Sequence, residues 1–251
     1  MHPALAALLA APIAHRGLWG RGRPENSLAA ARAAAEAGYA VEADLQLSAD
    51  GRAMVFHDDR LGRLTPERGP LRERTADALA RVPLKGAAET IPTLEALLDT
   101  VAGRVPLLLE VKDQDGALGP GIGALEAATA EAVARYDGPV AWMSFNPHSV
   151  AALPATRPRG LVACAYDRSE WPDLPEARRL SLRSLEGADP AGFVSHDLRD
   201  LPRAAGLLGD RPLLAWTVRS PDDEARARRH ARQITFEGYR PALEAPASGP
   251  T

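Results

Sequence analysis

Short apolar runs recur along this chain, and between them apolar residues return at the three- and four-residue spacing of a buried helix face. The first run, Pro12 to Gly17, ends on glycine and leads through a Gly-, Arg- and Pro-rich loop to an alanine-rich helix, Leu28 to Ala37. Asn26 or Ser27 supplies the oxygen that caps this helix, and Gly38 ends it. Tyr39 to Leu47 is the second strand: Val41, Ala43, Leu45 and Leu47 fall on one face, Glu42, Asp44 and Gln46 on the other. After an Asp50-Gly51 turn, Ala53 to Phe56 forms a short strand that delivers His57 to a loop. Thr65 to Glu89 is irregular, with one short helical pattern from Thr75 to Arg81, and Thr93 caps a clearer helix that runs to Val101.

From Val105 the rhythm is regular. Strands at Val105 to Val111, Val140 to Phe145, Gly160 to Ala165, Gly192 to Ser195, Leu213 to Val218 and Gln233 to Phe236 alternate with helices. Those helices are Gly123 to Tyr136, Pro147 to Leu153, Pro175 to Leu185, Leu201 to Leu208 and Asp222 to His230. Continuous apolar strands such as Val105-Pro-Leu-Leu-Leu109 belong to parallel sheets covered by helices. With Pro12 and Tyr39 opening the first two strands, about eight strand–helix units result, the number that closes a TIM (β/α)8 barrel. An open doubly wound sheet would show the same local pattern, but no GxGxxG or GxxxxGK[ST] turn follows the first strand to support its nucleotide-binding forms.

Composition narrows the function more than the fold. The 251 residues are 45% hydrophobic and 25% charged, enough for a full-sized core. A net charge of -3 offers no basic field for a phosphate backbone, so the expected partner is a small molecule, with neither nucleic acid nor membrane. The apolar start, Met1 to Ile13, lacks the positive leading region of a signal peptide, and no apolar run reaches a bilayer-spanning length. The lone cysteine, Cys164, reads as a buried, reduced strand residue, which places the protein in the cytoplasm.

In a parallel barrel, chemistry gathers at the carboxyl ends of the strands. His15 and Arg16 end the first strand, Glu42 and Asp44 lie in the second, and Glu110 and Lys112 end the third with the same spacing of two. That spacing puts both members of a pair on one face. Glu42, Asp44 and Glu110 together make an oxygen-rich site suited to a hard divalent cation, Mg²⁺ or Ca²⁺; the competing reading is a polar plug in which they pair with Arg16 and Lys112. Two imidazoles at one mouth, His15 and His57, can supply a general base and a general acid near neutral pH, since an unperturbed imidazole titrates near about 6.5.

His15-Arg-Gly17, Pro24-Glu-Asn26-Ser27, Glu42-Ala-Asp44 through Asp50-Gly51, and Val55-Phe-His57-Asp58 resemble, in order and separation, the glycerophosphodiester phosphodiesterases. The likeness continues through Leu64-Thr65, Ile91 to Glu95, Leu108 to Lys112, Ser144 to Pro147 and Trp216-Thr-Val218. It implies one TIM barrel domain over residues 1–244, with a small insertion (59–90) between the second and third strands; the Pro-, Ser- and Gly-rich composition of 245–251 separately predicts a loose tail. The resemblance further implies that Glu42, Asp44 and Glu110 hold one divalent metal, that His15 and His57 form the acid/base pair, and that Arg16 and Lys112 meet the phosphate; analogy with cyclising phospholipases would make His15 the base, but the sequence does not fix that order. Trp216 would line the pocket, and Glu25 and Asn26 would pin the first loop. The reaction implied is hydrolysis of a glycerophosphodiester to sn-glycerol 3-phosphate and an alcohol.

The chain departs from that pattern late. Arg219 follows the Trp-Thr-Val run where asparagine is usual, and the last strand reads Gln233-Ile-Thr-Phe-Glu-Gly238 in place of a Thr-Asp pair before proline. These departures are expected to reshape the pocket rim and alcohol selectivity. Two other readings lead elsewhere: a cyclising phospholipase would need a membrane-binding element, and a phosphate-binding protein would need none of the acid/base groups.

Overall fold

Every residue from Ala40 to Gln46 is buried although every second one is polar or charged beyond Val41. Such a strand needs an apolar layer on one side and an enclosed polar interior on the other, and a barrel supplies both. In the computed structural model, which describes residues 1–167, 169, 171–185, 188 and 190–243, that barrel is closed. Its ring consists of eight parallel strands, β1 (Ile13–Ala14), β2 (Ala40–Leu47), β4 (Leu107–Val111), β5 (Val140–Ser144), β6 (Arg159–Ala163), β7 (Phe193–Asp197), β8 (Leu213–Val218) and β9 (Gln233–Phe236). β1 pairs with both β2 and β9, which seals the ring. The short β3 (Ala53–Val55) lies outside it, antiparallel to β2.

The helices are α1 (Pro3–Ala10), α2 (Leu28–Glu36), α3 (Ala76–Leu79), α4 (Leu94–Val101), α5 (Ala124–Val133), α6 (Pro147–Ala152), α7 (Glu176–Arg183), α8 (Leu201–Leu208) and α9 (Pro221–Ala227). Val41, Ala43, Leu45, Leu107, Leu109 and Val111 pack outward into the layer under these helices, so the intervening carboxylates turn inward. A helix follows seven of the eight ring strands among the described residues. Beyond β9 an aromatic stack takes the helix's place: Phe236 meets Tyr39 at 4.8 Å and Tyr239 at 5.8 Å between ring centroids, and the Tyr39 hydroxyl donates to the Pro241 carbonyl. The 245–251 tail expected from the sequence lies outside the described residues.

The apolar N-terminal stretch, read above only for what it is not, is a helix. His2 caps α1 through its Nδ1, and Leu5 and Leu8 drop into the floor of the barrel beside Ile13, Leu108, Val162 and Leu214. Burying two leucines there contributes about 3–6 kcal/mol before ordering costs. Phe193 fills the same floor over Gly160, where a Cβ would lie 2.1 Å from its ring. Between β2 and β4 a small separate core forms, in which Met54 and Phe56 from β3 and its end meet Leu61, Leu71 and Leu79 of the insertion, all buried.

Candidate active site

β1 is shorter than its apolar run suggested, because the backbone turns sharply just after it. Arg16 and Gly17 adopt positive φ, 59° and 79°, and the Gly17 amide donates to the Ala14 carbonyl. Only glycine fits at position 17, where a Cβ would lie 2.7 Å from the Ala30 backbone of α2. The turn lifts His15 and Arg16 off the sheet and aims the Arg16 amide at Glu42 Oε2, 2.8 Å away. Ser27, not Asn26, caps α2. Asn26 is thereby free to grip Asp44, its Nδ2 donating to Oδ2 at 2.8 Å and its Oδ1 accepting from the Asp44 amide at 3.2 Å.

Glu42 and Asp44 rise from β2 and Glu110 from β4, with Asp44 and Glu110 in register, and all three are buried. One oxygen from each lies within 4.8 Å of the others. Lys112 Nζ reaches Asp44 Oδ1 at 2.7 Å and also donates to Glu110 Oε1, while Arg16 Nε lies 3.2 Å from Asp44 Oδ2 without hydrogen-bond alignment. Burial would raise Asp44, but Lys112, the histidines and Arg16 together hold its carboxyl far below the usual range. Glu42 goes the opposite way: burial first, then the charges of Asp44 and Glu110, push it well up.

An ion-pair plug therefore accounts for Asp44 and Glu110 but not for Glu42. Its Oε1 is buried and without a hydrogen-bond partner, whereas Lys112 bridges Asp44 and Glu110. Leaving such an oxygen unpaired costs about 1–3 kcal/mol. A cluster of three hard oxygen donors with an open lone pair could hold a divalent cation.

Each histidine leans on a carboxylate through Nδ1, leaving Nε2 for chemistry. His57 Nδ1 lies 2.7 Å from Asp58 Oδ1, and Gln46 Nε2 holds the loop by donating to the His57 carbonyl and to Asp59. His15 Nδ1 lies 2.6 Å from Glu237 Oε2, whose other oxygen accepts from Arg219 Nε at 2.7 Å. Burial would raise the Glu237 carboxyl, but His15 and Arg219 outweigh it and bring it to about 2. The two late departures thus lie against His15 and against each other. Closure of the ring foretells this, since the His15 amide bonds to the Phe236 carbonyl and position 237 must then flank His15.

All eight sequence-predicted site residues touch one cavity of about 650 Å³ or the cluster at its base. His15, Arg16, Glu42, His57, Glu110, Lys112 and Trp216 line it, and Asp44 stands beneath, joined to Arg16 and Lys112. Trp216 also packs edge-on against Phe145, and its indole donates to the Ser195 carbonyl. Phe145, Trp171, Ser195 and Thr235, not singled out from the sequence, complete the walls. The model of the Glycerophosphoryl diester phosphodiesterase family matches residues 15–233.

The chain belongs to that family.

A glycerophosphodiester phosphodiesterase of Caldanaerobacter subterraneus is 29% identical over 224 residues, spanning 85% of this chain and 88% of the relative. The structure of an Oleispira antarctica phosphodiesterase, in complex with the product sn-glycerol-3-phosphate, superposes with a TM-score of 0.72 at 25% identity over 90% of this chain and 91% of that one. The fold alone is shared with a putative glycerophosphoryl diester phosphodiesterase from Agrobacterium tumefaciens, at a TM-score of 0.73 and 19% identity over 91% of this chain and 93% of that one.

Proposed function

We propose that this chain, like its family, hydrolyses glycerophosphodiesters to sn-glycerol 3-phosphate and an alcohol, with His15 and His57 as its acid/base pair. The observation that carries the reading is the pairing of two carboxylate-backed imidazoles on one cavity whose base holds three clustered carboxylates, an arginine and a lysine. Glu42, Asp44 and Glu110 would hold one Mg²⁺ or Ca²⁺, which supplies electrostatic stabilisation to the charge that grows on the phosphoryl oxygens.

Arg16 and Lys112 present fixed positive charge to the same oxygens, and their ties to Glu25 and Asp44 orient them before substrate arrives. His15 Nε2 accepts a proton from the attacking oxygen: attack by water releases glycerol 3-phosphate directly, whereas attack by the glycerol 2-hydroxyl forms a cyclic phosphate that a water must then open. Glu237 favours the imidazolium that results. His57, protonated and held by Asp58, gives its proton to the departing alkoxide. Trp216 covers one wall of the cavity. Residues 1–244 are taken as the functional unit, acting on a small molecule in the cytoplasm. The single cysteine, buried just beyond β6, suits a reducing compartment, and no helix among the described residues is long and apolar enough to cross a membrane.

The test is to incubate the purified protein with glycerophosphocholine and Mg²⁺ or Ca²⁺ and to assay glycerol 3-phosphate. Release should stop in EDTA and return with excess cation. Release that persists after exhaustive chelation would sink the metal assignment, and a stable cyclic phosphate product would show that the 2-hydroxyl, not water, attacks.

A further inference from the structure

The insertion, residues 59–90, takes no part in the chemistry above, yet one of its side chains reaches the groups that support it. We propose that Arg63 is a positioning residue for the reaction: its guanidinium ties the carboxylate behind His57 to the carboxylate behind Arg16, so that proton donation and phosphate binding share one fixed geometry. This inference rests on the functional reading given above.

Arg63 Nε donates to Asp58 Oδ2 at 2.6 Å and Nη2 to Asp58 Oδ1 at 2.8 Å. On its other edge Nη1 donates to Glu25 Oε2 at 3.0 Å and Nη2 to Glu25 Oε1 at 2.7 Å. Four of the five guanidinium N–H groups are thus engaged, in two forks that share Nη2. Each carboxylate spends its remaining capacity on the site itself: Asp58 Oδ1 on His57 Nδ1 at 2.7 Å and Glu25 Oε1 on Arg16 Nη1 at 2.7 Å. Charges alternate along the chain of contacts from Arg16 through Glu25, Arg63 and Asp58 to His57. Both carboxyls lie below their usual range: burial opposes this, and the Arg63 hydrogen bonds are among the causes that outweigh it.

The backbone that carries Arg63 is fixed by other means. Leu61 is buried in the small core between β2 and β4, and Lys85 Nζ donates to the Gly62 and Arg63 carbonyls. A latch holding the insertion in place is therefore already present without the Arg63 side chain, which is 47% exposed and would add little as an ordinary surface ion pair. What the side chain does add is orientation, through planar forks that a lysine ammonium cannot reproduce. Without it, Asp58 and Glu25 are free to turn toward solvent, releasing His57 and Arg16 at once.

The experiment compares wild type, Arg63→Met, Arg63→Lys, Glu25→Gln and the Glu25→Gln/Arg63→Met double variant on glycerophosphocholine with saturating Mg²⁺, with melting temperature measured in parallel. Arg63→Met is expected to keep its melting temperature within a few degrees, to lower kcat by about tenfold or more, and to raise KM severalfold. Arg63→Lys recovers only a minor part of either loss. In the Glu25→Gln background, Arg63→Met raises KM little further, because both act through one chain of contacts. On the p-nitrophenyl ester of glycerol phosphate, whose leaving group needs no proton, the kcat loss shrinks while the KM rise remains. The proposal is overturned if Arg63→Met leaves both constants within about twofold, if lysine restores both in full, or if only the melting temperature and active fraction fall. A wild-type protein that releases no glycerol phosphate overturns the functional reading and this inference with it, an outcome distinct from an active enzyme indifferent to Arg63.

Discussion

His57 leans on the residue next to it, whereas His15 leans on one 222 positions away. The first support is local: Asp58 follows His57 in the chain, and the neighbouring insertion stiffens it through Arg63. The second exists only once the barrel has closed, because Glu237 follows the last strand and meets His15 solely through the pairing of β9 with β1. Exposure differs in the same sense, with the His15 side chain 13% exposed and that of His57 35%. The deeper imidazole suits a base that must stay clear of bulk water, and the shallower one suits an acid that meets a leaving alcohol on its way out.

The strongest test of this division removes each imidazole in turn. His15→Ala and His57→Ala should each lower turnover on glycerophosphocholine by about 10²–10⁴-fold, with circular dichroism and melting temperature near those of wild type. Their behaviour should then part on the p-nitrophenyl ester, where His57→Ala recovers much of its loss and His15→Ala recovers little. Recovery in His15→Ala instead would exchange the two roles. Near-normal turnover in either variant would remove that histidine from the mechanism.

Smaller losses are expected from the carboxylates behind them. Glu237→Gln keeps the shape of the side chain but not the charge that stabilises a protonated His15, and should lower kcat by about 10–100-fold with KM little changed. Asp58→Asn should cost less than Glu237→Gln, since Gln46 also holds the His57 loop. Equal losses, or a KM effect alone at Glu237, would contradict the comparison.

This contrast also explains what was legible in the sequence. The alternation in Tyr39 to Leu47 and the apolar runs that follow Val105 imply a helix-covered parallel sheet, because periodicity depends on neighbours within one element, and the count of about eight units points to its closure. The pairs Glu42/Asp44 and Glu110/Lys112 were legible for the same reason: a spacing of two fixes a shared face. His57-Asp58 can be read as a unit because its members adjoin. Glu237 could be read only as a departure at the pocket rim, since its partner depends on ring closure. Arg63 went unmarked because its carboxylates, Glu25 and Asp58, come from two different loops. The floor helix α1 was obscured by composition, its run of alanine and leucine carrying no polar face to set a period.

Glu237 should also tie folding to pH. Its carboxyl is lower in the folded chain, at about 2, than its ordinary 4.5, so folding favours the ionised form. The stabilisation is complete above about pH 4.5 and is lost as pH falls through that window toward 2. At pH 7 wild type should exceed Glu237→Gln in unfolding free energy by on the order of 1–3 kcal/mol, and the two denaturation curves should converge in acid. A gap that stays constant from pH 7 to pH 3 would show that Glu237 carries no native-state charge interaction with His15.

The mildest perturbation reaches the outermost link. Arg219 is 62% exposed and touches Glu237 through Nε alone, and an exposed pair of this kind is worth about 0–1 kcal/mol. Arg219→Met should therefore lower kcat by only about two- to threefold, and that small loss should vanish at high salt, where the wild-type pair is already screened. The Glu237→Gln loss should persist in the same salt, because its contact with His15 is largely buried. If Arg219→Met instead matched Glu237→Gln and resisted salt, the arginine would be acting on the substrate rather than through Glu237. The late departure from the family pattern would then bear on alcohol selectivity, as its place at the cavity rim first suggested.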